Sequence, residues 1–122
     1  MQFINTEHEM FYNDCLEQSV HKDVYHKTLF YALGLTKETR RNIKSLYDFK
    51  NREINFDGLN AAWHTSTSIK VVRLAFNLFN GFNGNVYGKG MIEESNLYTP
   101  YELFDTELTP YFFQAIRLRY PN

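Results

Sequence analysis

The chain is poor in cysteine, proline and long apolar segments, and it carries no surplus of either charge. Its 122 residues include one Cys, at position 15, and three Pro. A single cysteine excludes an internal disulfide. No apolar stretch approaches the roughly 18 residues of a membrane-spanning helix, and the N-terminus MQFINTEHEM lacks the basic start and apolar run of a secretory signal. We therefore expect a cytoplasmic protein with no membrane association, in which residues 1–122 form a single domain.

The charged side chains argue against a general nucleic-acid binder. There are 13 basic and 14 acidic residues, a formal net charge of −1, whereas such binders carry a clear basic excess. The charges are unevenly spread, because basic residues concentrate between 37 and 53 and acidic residues between 93 and 107. These regions could attract each other within the fold, pair with a partner, or simply be solvated surfaces.

Aromatic side chains are abundant, with 11 Phe, 9 Tyr and one Trp. Each buried ring removes roughly 150–250 Å² from water, which predicts a core rich in aromatic residues. Apolar residues recur mostly at helical spacing, with one short segment of alternating pattern. The sequence therefore predicts a mainly α fold, a single-domain bundle of five or six helices around a central buried helix, with one small β-hairpin.

The first predicted helix begins near residues 5 and 6, and the second runs from Asp23 to Leu33. Asp23 is the expected cap of the second helix, and Gly34 is placed to end it in a left-handed conformation. A basic third helix over 37–47 is expected on the surface, and the alternating pattern around its end predicts the hairpin.

The strongest helical pattern covers 66–80, where apolar residues occupy most of the circumference. We expect this segment to be the central buried helix, stopped by Gly81. Two Thr-Pro steps, at Thr99 and Thr109, predict the starts of the last two helices. The last helix is expected to turn three large side chains toward the core, Phe113, Ile116 and Tyr120.

The segment RLAFNLFNGFNGNVYGKG, residues 73–90, contains four of the six glycines. A phosphate-binding P-loop needs a preceding strand and the spacing G-x-x-x-x-G-K-[ST], whereas here a helix precedes the glycines and Gly90 follows Lys89. We expect instead a flexible loop that becomes ordered when it binds a partner. Its candidate partner-binding side chains are Phe82, Tyr87 and Lys89.

The start of the central helix is the better candidate for binding an anion. Helix N-termini favour anions through their free amides and the helix dipole, and here the hydroxyl-rich HTSTS is followed by two basic residues. The alternative is that one hydroxyl simply caps the helix and that the basic residues belong to a structural polar seam. The candidate anion- or ligand-binding residues are His64, Thr65, Ser66, Thr67, Ser68, Lys70 and Arg73.

A third hypothesis concerns DNA. A helix, a turn at Gly34, a basic helix and a hairpin follow in the order of a winged helix, and Arg40, Arg41 and Lys44 could contact phosphates. The balanced charge disfavours this alternative, and Arg40 stands where the packing of that helix needs an apolar residue. The same three basic residues are also candidates for contacting a protein partner.

No catalytic set stands out in the sequence. The four histidines lack metal-ligand spacing such as H-E-x-x-H, Cys15 lies on an apolar helix face, and no pair of carboxylates is placed for acid–base chemistry. We therefore expect no catalytic residues, no metal and no cofactor, and a binding protein rather than an enzyme.

Several segments together resemble a family of small, uncharacterised proteins from Gram-positive bacteria and their phages and mobile elements. The segments are FINTEHEMFYNDCL, KTLFYALGLT, SLYDFKNREINFDGL, TSTSIKVVRLAFNLFNGF, TPYELFD and YFFQAIRLRY. The resemblance spans most of the chain and implies a bacterial or phage setting, with the protein in the cytoplasm of the bacterium or of the phage's host. It implies no catalytic residues.

These observations predict a non-enzymatic protein-interaction or regulatory module that modulates or inhibits a host protein, such as a defence protein. One alternative is a binder of small phosphate or nucleotide ligands, or an enzyme acting on them, at residues 65–68. The other is a DNA-binding module that uses the basic helix over 37–47. A protein partner is favoured over nucleic acid, and self-association stays open.

Overall fold

The structure is a computed structural model, and it describes residues 1–84 and 94–122. Within these ranges it contains six α-helices and one antiparallel pair of strands, which confirms the predicted mainly α fold with a small hairpin. In chain order the elements are α1 Thr6–Ser19, α2 Val24–Leu33, α3 Lys37–Arg41, β1 Tyr47–Asp48, β2 Glu53–Ile54, α4 Ser66–Asn80, α5 Pro100–Leu103 and α6 Thr109–Arg119. Short 3₁₀ segments lie at Ile43–Ser45, Phe56–Asn60 and Ser95–Tyr98.

Helices α2 and α4 form the centre of the core. Helix α4 has the predicted ends, since Thr65 caps its N-terminus and Gly81 stops it with a left-handed φ of 80°. Residues 28–33 of α2 are all buried, because α1, α4 and α6 each pack against this helix. A helix contacted from several sides buries residues around its whole circumference. Helix α2 therefore shares the central position that the sequence predicted for α4.

Gly34, which ends α2, is required because a side chain at this position has no space, and not because of its backbone conformation. Its φ is −82°, in the right-handed region, so the predicted left-handed stop is wrong. A Cβ at this position would lie 2.5 Å from Cδ2 of His8 and 2.9 Å from Cδ1 of Phe11. Glycine is needed here because α1 approaches the end of α2 closely.

Buried His8 ties the N-terminal segment to α2. Its Nε2 donates to the carbonyl oxygen of Tyr31 at 2.7 Å, and its Nδ1 accepts from the amide of Ile4 at 3.1 Å. Since a carbonyl only accepts and an amide only donates, these bonds require the neutral ring protonated on Nε2. Burial lowers the pKa of His8 to about 4; the bond to Tyr31 opposes this shift, and the charge of Arg40 adds to it.

The basic third helix is shorter than predicted. Helix α3 ends at Arg41, and the side-chain amide of Asn42 donates to the carbonyl oxygen of Glu38 at 2.8 Å. Asparagine side chains compete with helical backbone bonds in this way, and a 3₁₀ segment follows instead of further α-helix. The hairpin then forms as predicted, with Tyr47 opposite Ile54.

Helix α6 turns a different face to the core from the one predicted. Phe112 and Ala115 are fully buried, whereas Phe113 is 51% and Tyr120 is 58% exposed. Ile116 is half-buried and packs against the core as expected. The predicted inward orientation of Phe113 and Tyr120 is therefore wrong, because the packing of α6 against α2 selects which side of the helix is covered.

Candidate functional site

The hydroxyls at the start of α4 are engaged in capping the helix. Oγ1 of Thr65 accepts from the amide of Ser68 at 3.0 Å, and Oγ of Ser68 accepts from the amide of Thr65 at 2.8 Å. These reciprocal bonds form a capping box, which satisfies two backbone donors of the first turn. Ser68 is fully buried. The alternative of a simple helix cap therefore accounts for both residues.

His64 is held next to this cap by two hydrogen bonds. Its Nε2 donates to the carbonyl oxygen of Gly58 at 2.8 Å, and its Nδ1 lies 2.8 Å from Oγ of Ser68. Burial lowers the pKa of His64; the bond to Gly58 opposes this shift, and the charge of Arg73 adds to it. A neutral ring that already uses both nitrogens offers little attraction to an anion.

The two basic residues of the predicted anion site also make contacts within the fold. Nζ of Lys70 donates to the carbonyl oxygen of Glu102 at 2.6 Å. Arg73 donates to the hydroxyl of Tyr98, whose pKa rises to about 12 because of burial, while Arg73 opposes that rise. Both contacts connect α4 to the C-terminal part of the chain, in the manner of a structural polar seam.

A cleft of about 470 Å³ lies beside the start of α4. Ser66, Thr67 and Lys70 line one part of it, and Asp105 and Glu107 contribute two carboxylates to the same lining. Because the lining holds two acidic groups and one basic group, a phosphate would meet more repulsion than attraction there. The geometry gives the anion hypothesis little support, and it stays a prediction.

The three basic candidates do not form a recognition surface. Nη1 of Arg40 donates to the carbonyl oxygen of Gly34 at 2.8 Å, so its guanidinium is bonded to the backbone at the C-terminus of α2. Arg41 and Lys44 are exposed, but α3 has only five residues. A helix of this length is too short to lie in a major groove as recognition helices do. Residues 37–47 therefore do not form the continuous basic helix that the DNA hypothesis requires.

Of the candidates in the glycine-rich segment, only Phe82 lies among the described residues. Its ring packs at 4.5 Å from the ring of Phe56 and at 5.8 Å from that of Tyr98, measured between centroids. Phe82 is half-buried, and its carbonyl oxygen accepts from the side chain of Asn77 at 3.0 Å. The predicted partner contacts of Tyr87 and Lys89 lie outside the described residues.

The structure brings together an exposed cluster that the sequence analysis missed, which we call the Tyr–Arg–Tyr cluster (Tyr25, Arg119 and Tyr120). The guanidinium carbon of Arg119 lies 4.1 Å from the ring centroid of Tyr25 and 4.6 Å from that of Tyr120. Nε of Arg119 donates to the carbonyl oxygen of Leu78 at 2.9 Å, near the C-terminus of α4. As whole residues, Tyr25 and Tyr120 are 44% and 58% exposed.

A second cluster lies at the start of α2 and consists of His21, Asp23 and His26. Nδ1 of His26 donates to the Asp23 carboxylate, 2.9 Å from Oδ2, and Nδ1 of His21 lies 4.0 Å from the same oxygen. The imidazole rings stack with centroids 4.4 Å apart. Partial burial raises the pKa of Asp23, but hydrogen bonds from the side chain and amide of His26 hold it below its usual range. From the sequence we expected no set of metal-ligating side chains, and we did not identify this cluster there.

Of the two clusters, only the one formed by His21, Asp23 and His26 could have been identified from the sequence. The spacing H-x-D-x-x-H from His21 to His26 is local and could have been recognised as a ligand pattern. The Tyr–Arg–Tyr cluster joins the first turn of α2 to the last turn of α6. Arg119 and Tyr120 are neighbours in the sequence, but only the packing of these two helices brings Tyr25 to them.

A family model described as a family of unknown function (DUF6075) matches residues 1–122. The match covers the whole sequence, so the chain belongs to this family, in agreement with the resemblance to uncharacterised proteins. Neither the curated proteins nor the solved structures gave a match. Among the described helices, none has the length and apolar character required to span a bilayer.

Proposed function

We propose that this member of a family of unknown function is a non-enzymatic protein-binding module whose contact surface is the Tyr–Arg–Tyr cluster. The observation that carries the proposal is the position of Arg119, whose guanidinium rests against two exposed rings while its Nε is bonded to a backbone carbonyl. Tyr and Arg are among the residues that dominate binding energy at protein interfaces. Side chains fixed before binding lose less entropy when the partner arrives.

Two exposed aliphatic side chains close to Tyr25 in the sequence support the proposal. Val24, next to Tyr25 in the first turn of α2, is 37% exposed, and Val20 is 66% exposed. Val20 has a left-handed φ of 56°, which is unfavourable for a β-branched residue. Backbone strain of this kind concentrates at functional positions. A strained valine that presents its side chain to solvent is consistent with a contact surface.

The biological setting is part of the proposal. The sequence resemblance suggests a bacterial protein, or one from a phage or mobile element, that acts in the cytoplasm. In that setting the module would bind a host protein, such as a defence protein, and modulate or inhibit it. The partner surface should offer carboxylates to Arg119 and apolar contacts to the rings of Tyr25 and Tyr120.

The other two hypotheses have weaker support in the geometry. A phosphate or nucleotide site at 65–68 would have to use hydroxyls that cap α4, in a cleft with two carboxylates. A thermal-shift screen against nucleotides and inorganic phosphate tests it, since a ligand at 100 times its dissociation constant stabilises by about 2.7 kcal/mol. Binding to DNA would fall steeply with salt concentration, and we expect no such binding.

The experiment that tests the proposed function is affinity capture from the cells that encode the protein. Three baits are compared: the wild type, the double variant Tyr25→Ala/Tyr120→Ala, and Tyr101→Ala as a control. Tyr101 is 86% exposed on α5, so the control removes an even more accessible tyrosine elsewhere. We expect a stoichiometric partner on the wild type and the control but not on the double variant. A partner that all three baits capture equally would contradict the proposal, as would a purified protein that turns over a metabolite and captures nothing.

A further inference from the structure

We propose that His21, Asp23 and His26 form a binding site for a divalent transition-metal ion such as Zn²⁺. The potential ligand atoms of the three side chains all lie within 4.8 Å of one another. Two imidazole nitrogens and one carboxylate oxygen are a donor set that suits zinc and other first-row metals of intermediate softness. Three protein ligands leave a fourth position for water or for a group from a partner.

The present spacing requires only small side-chain movements. In a tetrahedral zinc site with bonds of about 2.0 Å, neighbouring ligand atoms lie about 3.3 Å apart. Nδ1 of His26 lies 2.9 Å from Oδ2 of Asp23, and Nδ1 of His21 lies 4.0 Å from it. The observed distances therefore bracket the required one. The side chain of His21 is 34% exposed and stacks on the ring of His26, so its movement toward a shared ion takes place at the surface and outside the core.

A helix cap explains only part of this arrangement. Oδ1 of Asp23 accepts from the amide of His26 at 3.0 Å and caps α2, which leaves Oδ2 facing both imidazoles. The ring of His21 makes no hydrogen bond to the described part of the chain, although the buried hydroxyl of Ser19 accepts from its backbone amide at 3.2 Å. Capping of α2 does not require the ring of His21 to stack on that of His26. Coordination of one metal ion by both rings accounts for this arrangement.

The hydroxyl of Tyr47 is an independent observation that points to a metal ligand. It belongs to a side chain that is 1% exposed, and it lies 3.2 Å from Nε2 of His26. Metal-binding histidines commonly donate their second N–H to a fixed partner, which sets the tautomer and the ring orientation. When Nδ1 of His26 binds the metal, Nε2–H donates to Oη of Tyr47. For a neutral ring this is a change of tautomer, in which the proton that Nδ1 now directs at Asp23 leaves that nitrogen and Nε2 takes one up.

Metal titration of the full chain, without an affinity tag, tests the site. Isothermal titration calorimetry with Zn²⁺ should show one ion bound per chain, and Co²⁺ should develop the visible absorption of a tetrahedral site. His21→Ala and His26→Ala should each weaken Zn²⁺ binding by about tenfold or more, and Tyr47→Phe, which keeps the ring, should weaken it by about tenfold. His64→Gln, which alters a histidine outside the cluster, should leave the affinity unchanged.

Circular dichroism of each variant establishes that it is folded, and His21→Ala is the decisive variant because its side chain packs only at the surface. The proposal is overturned if the wild type does not bind Zn²⁺ stoichiometrically at micromolar concentration. It is also overturned if His21→Ala binds Zn²⁺ as tightly as the wild type, or if Mg²⁺, which prefers oxygen ligands, binds equally well.

Discussion

His8 should make the stability of the protein depend on pH in a direction that the structure fixes. The folded state holds the ring neutral, with a pKa lowered from 6.5 to about 4 chiefly by burial. The unfolded chain therefore takes up a proton first as the pH falls below 6.5, and stability is lost between this value and about 4. At pH 5 the loss relative to pH 7 amounts to about 2 kcal/mol, and it levels off near 3 kcal/mol below pH 4.

The assay is urea unfolding at pH 7, 6 and 5, followed by the fluorescence of the single Trp63. The reference variant is His8→Gln, whose side-chain amide can donate to Tyr31 and accept from Ile4 without titrating. The burial of His64 also lowers its pKa, but this contribution is common to both proteins and cancels in their difference. We expect the wild type to lose about 2 kcal/mol more than His8→Gln between pH 7 and 5.

Equal pH dependence of the two proteins would refute the reasoning, because it would mean that folding does not perturb His8. A nuclear magnetic resonance titration of the wild type gives the same answer without a variant. The His8 ring signals should shift by no more than about a tenth of their full range between pH 7.5 and 5, whereas a midpoint near 6.5 would contradict the buried neutral ring.

Three further predictions concern residues of α1 and its contacts. Gly34→Ala should lower stability by about 1–3 kcal/mol, because its Cβ would lie 2.5 Å from Cδ2 of His8; an unchanged urea midpoint would contradict this. Val20→Gly should raise stability by about 1 kcal/mol, because it relieves a φ of 56°; a lower midpoint would show that the backbone there is not strained. Burial raises the pKa of the Cys15 thiol to about 12, so a thiol reagent should react with Cys15 only as fast as the protein unfolds, and rapid reaction of the folded protein would count against a buried thiol.

The parts of the fold that could be predicted are those set by local chemistry. The caps at Asp23, Thr36 and Thr65 form as their side chains indicate, since each accepts from a backbone amide three residues along. Gly81 adopts the left-handed conformation that ends α4. These features depend on a few neighbouring residues, so the sequence contains enough information to place them.

The parts that could not be predicted depend on contacts between distant segments. Helix α6 has large side chains on several faces, and its packing against α2 decides that Phe112 is buried and Tyr120 is exposed. Gly34 is required by the side chains of α1, not by its own φ. The Tyr–Arg–Tyr cluster likewise depends on tertiary packing, so the sequence pointed to other candidate partner contacts, namely Phe82, Tyr87, Lys89, Arg40, Arg41 and Lys44.

The central claim is that Tyr25 and Tyr120 contact the partner, and the most direct test is to measure affinities with the purified partner from the capture experiment. The account predicts that Tyr25→Ala/Tyr120→Ala raises the dissociation constant by about 30-fold or more, since residues that dominate an interface contribute at least about 2 kcal/mol. Tyr101→Ala should change it by less than about threefold. A dissociation constant of the double variant equal to that of the wild type would contradict the account.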